Sequence, residues 1–331
     1  MTEVNPFDGH WNDEELDSIG DEIINLTDAS VSGFGWKMEV HAVDKVGKTF
    51  FGMSASSLDE NNPKLSPGLR YLLREKFIPS GSPVFVIDTE RKAKKLKHHP
   101  AFRNKDIKIW EIFFPDPNHK YQIDPIKSLT KLYKILLYIE KNYDHGTIII
   151  DSGTHVTDWI RKYIQYELVG RGAEGHELGE LIRMQPSDWM VRDDIWSWLL
   201  PYLQGLKQHV IITAKEKEEL LFEPDPDRPG KVKIKKSGNF KPRRFKDIPF
   251  GVDIEFRLQY NYTDDGYRAG RVGRVISSQY DDDATEVREE DLTDDNIPLR
   301  QREILNPTFV KLAEMIYPIS HGYLVPEEAE E

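Results

Sequence analysis

The chain contains no cysteine. That absence excludes disulfides, thiolate zinc sites, iron–sulfur clusters and a thiol nucleophile, leaving carboxylates, lysines and hydroxyls to carry any chemistry. Long apolar runs are missing too. The most uniformly apolar stretch, Thr147 to Ile150, falls far below the ~20 residues that a bilayer demands. The first 30 residues are acidic and lack the basic start and apolar core of a signal peptide. A soluble, cytoplasmic protein with no membrane partner is the expectation. Cations are in deficit as well: 45 Lys and Arg face 57 Asp and Glu, a formal charge of −12 that argues against a uniformly basic nucleic-acid binder.

What is present points to a large folded domain. The length of 331 residues allows one large α/β domain or two ordinary ones, and 38% apolar with 11% aromatic residues is enough to fill a core. Apolar runs at Trp36–Val40, Pro83–Ile87, Ile107–Phe113, Thr147–Ile150 and His209–Thr213 read as strands. Helical spacing separates several of them. Ile126, Leu129, Leu132, Leu136 and Ile139 share one face, as do Val156, Trp159, Ile160, Tyr163 and Ile164, and then Ile195, Trp198, Leu199, Tyr202 and Leu206 with Pro201 as a kink.

Alternation of this kind predicts a mostly parallel central sheet with helices on both faces. Phe250–Tyr260 and Val272–Gln279 read as an antiparallel C-terminal edge, followed by a helix near Phe309–Ile316. The expected division is an acidic extension over 1–34 with a short helix at 13–26, one α/β domain over 35–317 with a basic insertion at 215–248, and an acidic tail over 318–331.

The strongest local signal is AVDKVGKT, residues 42–49: Ala42, Val43, Asp44, Lys45, Val46, Gly47, Lys48 and Thr49, with Phe50 next. It follows a strand and opens a helix expected over Lys48–Ser56, where backbone N–H groups offer positive potential to phosphate oxygens. Gly47 permits close approach, Lys48 supplies a mobile charge, and the Thr49 hydroxyl is a Mg²⁺ ligand candidate. Ala42 stands where the GxxxxGK[ST] pattern has its first glycine. The competing reading is a solvated turn with an exposed lysine.

Asp151 ends the apolar strand TIIID and is placed to hold a metal, or instead to cap the next helix with Ser152 and Thr154. Glu90, in VFVIDTE, is the candidate general base that orients water, with Asp88 as its support; the alternative is an ordinary strand exit. Thr213 and Lys215, at the tip of the strand from His209, are candidate sensors of a terminal phosphate.

Taken together, AVDKVGKT, VIDTE, TIIIDSGT and VIITAKEK resemble the RecA/RadA-like P-loop ATPases, most of all the compact forms found in phages and in archaeal viruses and plasmids, over about residues 36–280. The resemblance implies a RecA-like P-loop NTPase fold, ATP and Mg²⁺ as ligands, Glu90 as catalytic glutamate and Asp151 as the Walker B acid. It also implies a homo-oligomer with ATP at the subunit interface, where a basic residue of the neighbour completes the site. Arg268, Arg271 and Arg274 are candidates for that role.

Residues 231–246, KVKIKKSGNFKPRRFK, carry eight cations and no acid. Lys235, Lys236, Lys241, Arg243, Arg244 and Lys246 are nucleic-acid candidates. Phe240 and Phe245 offer flat faces among them, a composition suited to single-stranded more than double-stranded DNA. The KVKIK alternation suggests a hairpin turning at Ser237-Gly238-Asn239. The alternatives are a solvated hairpin or a patch that docks on an acidic neighbouring subunit.

The expected activity is therefore DNA-stimulated ATP hydrolysis in recombination or replication, with an ATP-dependent assembly protein as the rival; no lid or acceptor motif marks a small-molecule kinase. His176–Glu180 and His98-His99 read as surface. The acidic runs Tyr280–Asp283 and Asp291–Asp295 also read as surface, and Trp189, Trp196 and Trp198 as core.

Overall fold

β1 (Lys37–Ala42), β2 (Val84–Asp88), β3 (Ile107–Glu111), β4 (Thr147–Asp151) and the start of β5 (His209–Pro224) run parallel in the spatial order β3-β2-β4-β5-β1. The computed structural model describes residues 33–115, 123–164, 186–224, 232–280, 299 and 302–329, and Gly33–Glu331 form one unit by their contacts. The expected helix at 13–26, His176–Glu180 and the acids at 281–283 and 291–295 lie outside the described residues, as does Lys231. β7 (Ile254–Tyr262) adds to β1 in parallel, and β8 (Arg268–Ser278) and β9 (Glu303–Leu305) complete the sheet antiparallel. The architecture is α/β: a mostly parallel central sheet flanked by helices, with an antiparallel edge.

Period-two alternation sends each strand's side chains into two cores. Val84, Val86, Ile149, Ile211, Met38 and Val40 join one, packed with helices α1 (Lys48–Met53), α2 (Pro67–Arg74) and α7 (Phe309–Ser320). Phe85, Ile87, Ile148, Ile150, Val210 and Ile212 join the other, with α4 (Pro125–Asn142), α5 (Gly153–Tyr163) and α6 (Pro186–Gly205), while the short α3 (Ala93–Lys97) follows β2.

Differences from the expected elements are local. α1 stops at Met53 and a 3-10 turn, Ser54–Ser57, completes the first helical segment. α4 begins one position before Ile126, whose side chain is exposed, so its buried face is carried by Leu132, Ile135, Leu136 and Ile139. Trp196 is core, but Trp198 is 45% exposed and stacks on Tyr202 on the surface of α6. Among the described residues no helix is long and apolar enough to cross a membrane.

Registers level the strand ends. Asp88 stands opposite Asp151, and Ala42 opposite Lys215. The carboxyl ends of β1, β2, β4 and the first part of β5 thus share one rim, where ligands of open α/β sheets bind.

Candidate nucleotide-phosphate site

The loop from β1 into α1 turns at Gly47, whose φ of +110° lies in the left-handed region that favours glycine. Lys48 opens α1 and is buried; its Nζ folds back on the loop and donates to the carbonyls of Ala42 (3.1 Å) and Val43 (3.3 Å). Burial lowers its pKa, against the pull of Asp151, Asp44 and Glu90. A solvated turn lysine has none of these features, so that alternative fails here.

Asp151 is buried at the end of β4 and accepts from two hydroxyls: Thr49 Oγ1 on Oδ2 (2.5 Å) and Thr213 Oγ1 on Oδ1 (2.7 Å). Burial pushes its carboxyl up while the two hydroxyls draw it down. The helix-cap alternative is not realised: the N-cap of α5 is Ser152, with no side-chain cap bond. No group of three or more His, Asp or Glu able to cage a metal occurs among the described residues. Mg²⁺ does not require such a cage, because it keeps waters and phosphate oxygens and takes one or two protein oxygens. The Thr49–Asp151 pair, all oxygen, with Thr49 half-buried and a buried carboxylate whose donors are two hydroxyls, fits that demand.

Glu90 lies beside β2's end between two ammonium groups, Lys215 Nζ at 2.6 Å and Lys92 Nζ at 2.5 Å. Burial pushes its carboxyl up, but the lysines outweigh burial and hold it at about 2. Asp88 supports it through the backbone: its carboxylate accepts from Glu90 N (2.9 Å) and Ala93 N (2.7 Å), pinning the turn. Of the two sensor candidates, Thr213 therefore reaches Asp151 and Lys215 reaches Glu90.

Two features escaped the sequence. Thr89 donates from Oγ1 to the Asp151 carbonyl (3.0 Å), accepts from Ser152 N (2.9 Å) and meets His155 Nδ1 (2.8 Å), tying the ends of β2 and β4 together. The second is an ionic layer on the far face of β1. His41 contacts Glu216 (2.8 Å) and Glu255 (3.1 Å); Arg257 binds Glu216 (2.7 Å), and Arg244 contacts Glu39 and Glu255. The alternation KMEVH, apolar on one face and charged on the other, was the available signal.

The basic segment differs from expectation. β5 continues to Pro224 and pairs antiparallel with β6 (Val232–Arg243), so Ser237–Asn239 are not the turn of this hairpin; residues 225–231 lie outside the described residues. Ser237–Asn239 instead make an irregularity inside β6, with Gly238 at φ +79°. Five nucleic-acid candidates have acidic partners: Lys236 on Glu218, Lys241 on Glu219, Arg243 on Asp158, Lys246 on Asp193, and Arg244 in the ionic layer. Phe245 is core, stacked on Trp196 at 5.4 Å, and offers no platform. Opposed residues share a face, so Lys215/Arg243, Lys217/Lys241 and Leu221/Lys235 line one side of the hairpin. Leu220, Ile234 and Phe240 are exposed on the other.

The three arginines on β8 also separate. Arg268 covers the Tyr260 ring at 4.0 Å, Arg274 pairs with Glu303, and Arg271 turns onto its own chain's loop beside Gly47. No family model and no curated protein matches the chain.

Proposed function

We propose that the chain is a RecA-like, Mg²⁺-dependent ATPase that acts on DNA, single-stranded in preference to double-stranded. One observation carries the reading: Lys48, Thr49, Asp151 and Glu90, drawn from three strand ends, converge on one rim. The phosphate-loop strand β1 and the acid-bearing strand β4 are separated by one strand, β5, whose Thr213 touches Asp151. Residues 42–50 cradle the phosphates, with Lys48 leaving its loop carbonyls for the β and γ phosphates. Thr49 and Asp151 would hold Mg²⁺, which supplies charge neutralisation at the phosphates. Glu90 orients and polarises the attacking water once Lys215 or Lys92 turns to the terminal phosphate.

The hairpin supplies the DNA contact in this reading. Its cationic side begins at Lys215, the residue that binds Glu90, so strand binding and hydrolysis share a lysine. Turnover measured with and without single-stranded DNA tests it. Lys48→Ala is expected to abolish turnover, and a wild-type protein that hydrolyses no ATP under either condition ends the proposal.

The exposed Leu220, Ile234 and Phe240 favour a second reading, an ATP-dependent assembly in which the hairpin docks on a neighbouring subunit. Turnover that rises with protein concentration and ignores DNA would select it.

A further inference from the structure

Arg271 sits where a nucleotide's far end would lie. In sheet order, β1 has β5, β4 and β2 on one side and β7 and β8 on the other. The first side carries Asp151 and Glu90, hence the metal and terminal-phosphate end of any triphosphate laid over the loop. The second side reaches the loop through two contacts. Tyr260 Oη of β7 donates to the Lys45 carbonyl (2.7 Å), and Arg271 of β8 lies against Gly47, where an added Cβ would meet Nη1 at 2.7 Å.

The Arg271 guanidinium also lies 5.7 Å from the centroid of the Phe50 ring, which Phe102 backs at 4.8 Å. It pairs with no carboxylate among the described residues. A half-buried guanidinium with no carboxylate partner among the described residues, planar and braced on an aromatic ring, is suited to stack on a base.

We propose that Arg271 acts in cis as the nucleoside-recognising residue of this site, holding the base and sugar end of a nucleoside triphosphate while the loop holds the phosphates. This rests on the nucleotide-binding reading and narrows it. A neighbour-directed role would turn Arg271 from its own loop, whereas here its guanidinium lies against Gly47 and the Phe50 ring.

The test compares Mg-ATP with Mg-tripolyphosphate, which has the phosphates and no nucleoside, by calorimetric titration of wild type, Arg271→Ala and Arg271→Lys. Arg271→Ala should weaken ATP about 5- to 30-fold, the span from an exposed to a desolvated cation–π contact, and leave tripolyphosphate within about twofold. Arg271→Lys should restore only part of the ATP affinity, because it keeps charge and loses the plane. Unchanged ATP binding in Arg271→Ala, or equal losses on both ligands, overturns the proposal. A wild type that binds tripolyphosphate and ATP equally overturns it while sparing the phosphate site, and one that binds neither takes both readings with it.

Discussion

Lys215 Nζ lies 2.6 Å from Glu90 Oε1, so the first residue of the hairpin beyond the core holds the candidate catalytic carboxylate. A carboxyl held at about 2 by two lysines is an ion-pair partner first and a weak base second. Glu90→Gln keeps the shape and loses the base. It is expected to bind ATP as wild type does while turnover falls by about 100-fold or more, read by titration and phosphate release. Lys215→Ala cuts the link between hairpin and site, so the ratio of turnover with and without single-stranded DNA should fall toward one. Full turnover in Glu90→Gln would remove the catalytic assignment; an intact ratio in Lys215→Ala would remove the coupling.

Gly47 meets two constraints at once. Its φ of +110° disfavours any L side chain, and a Cβ would have to push aside the guanidinium end of Arg271. Gly47→Ala should cost about 1–3 kcal/mol of stability, the usual range for such backbone strain, and should abolish nucleotide binding. In an Arg271→Ala background the steric share disappears and the backbone share stays. Urea unfolding of the four proteins in the cycle should therefore give non-additive losses; additivity would show that Arg271 does not press on the loop.

The parallel strands were legible because their apolar residues are continuous, as in Thr147–Ile150, and a strand covered on both faces needs that continuity. The same logic hid the rest of β5. Lys215–Glu219 carry charges in place of apolar alternation, and the hairpin is held by cross-strand pairs such as Lys236–Glu218, so no apolar period marked it. Arg244 and Phe245 misled for the opposite reason. They follow a run of cations that looks like surface, yet the chain turns inward there, seating Phe245 and Ile248 in a core and Arg244 on Glu39. In the site, Lys48, Thr49 and Asp151 were readable from motif position. The Lys215–Glu90 and Thr89–Asp151 contacts depend on registers that only the folded sheet fixes.

His41 gives the protein a pH-dependent stability. Burial lowers its pKa, but the hydrogen bonds and charges of Glu216 and Glu255 outweigh burial and raise it above 6.5. A raised folded pKa means that the stabilisation is complete below 6.5 and is lost as pH climbs through the folded value. Lys37 works oppositely at higher pH. Burial holds it at about 8, so the unfolded chain binds more protons between there and 10.5 and stability rises in that window. His155, His209 and His321, all lowered by burial, act below 6.5. The interval from pH 6.5 to 8 lies above the lowered histidines and below Lys37, and the contribution of His41 is read there as the difference between wild type and His41→Gln. Urea midpoints should fall more steeply with pH in wild type than in His41→Gln; equal slopes in the two proteins would exclude a stabilising role for the His41 contacts with Glu216 and Glu255.

The hairpin charges divide into two groups with different expected effects. Lys233, Lys235 and Lys241 are exposed, and exposed ion pairs such as Lys241–Glu219 contribute little and yield readily to a phosphate. Arg244 belongs to the buried layer, where removing one partner strands the carboxylate of Glu39. Changing Lys233, Lys235 and Lys241 together to Ser should leave stability near wild type and flatten the salt dependence of single-strand binding. Each phosphate that a lysine no longer neutralises lowers the log–log slope by about 0.7, so three such phosphates lower it by about 2. Arg244→Ala should do the reverse, costing about 3 kcal/mol in urea unfolding while any protein that remains folded keeps the wild-type slope. If the triple variant folds and binds with an undiminished slope, the cationic side of the hairpin is not the DNA contact, and docking on a neighbouring subunit becomes the better account of its exposed apolar face.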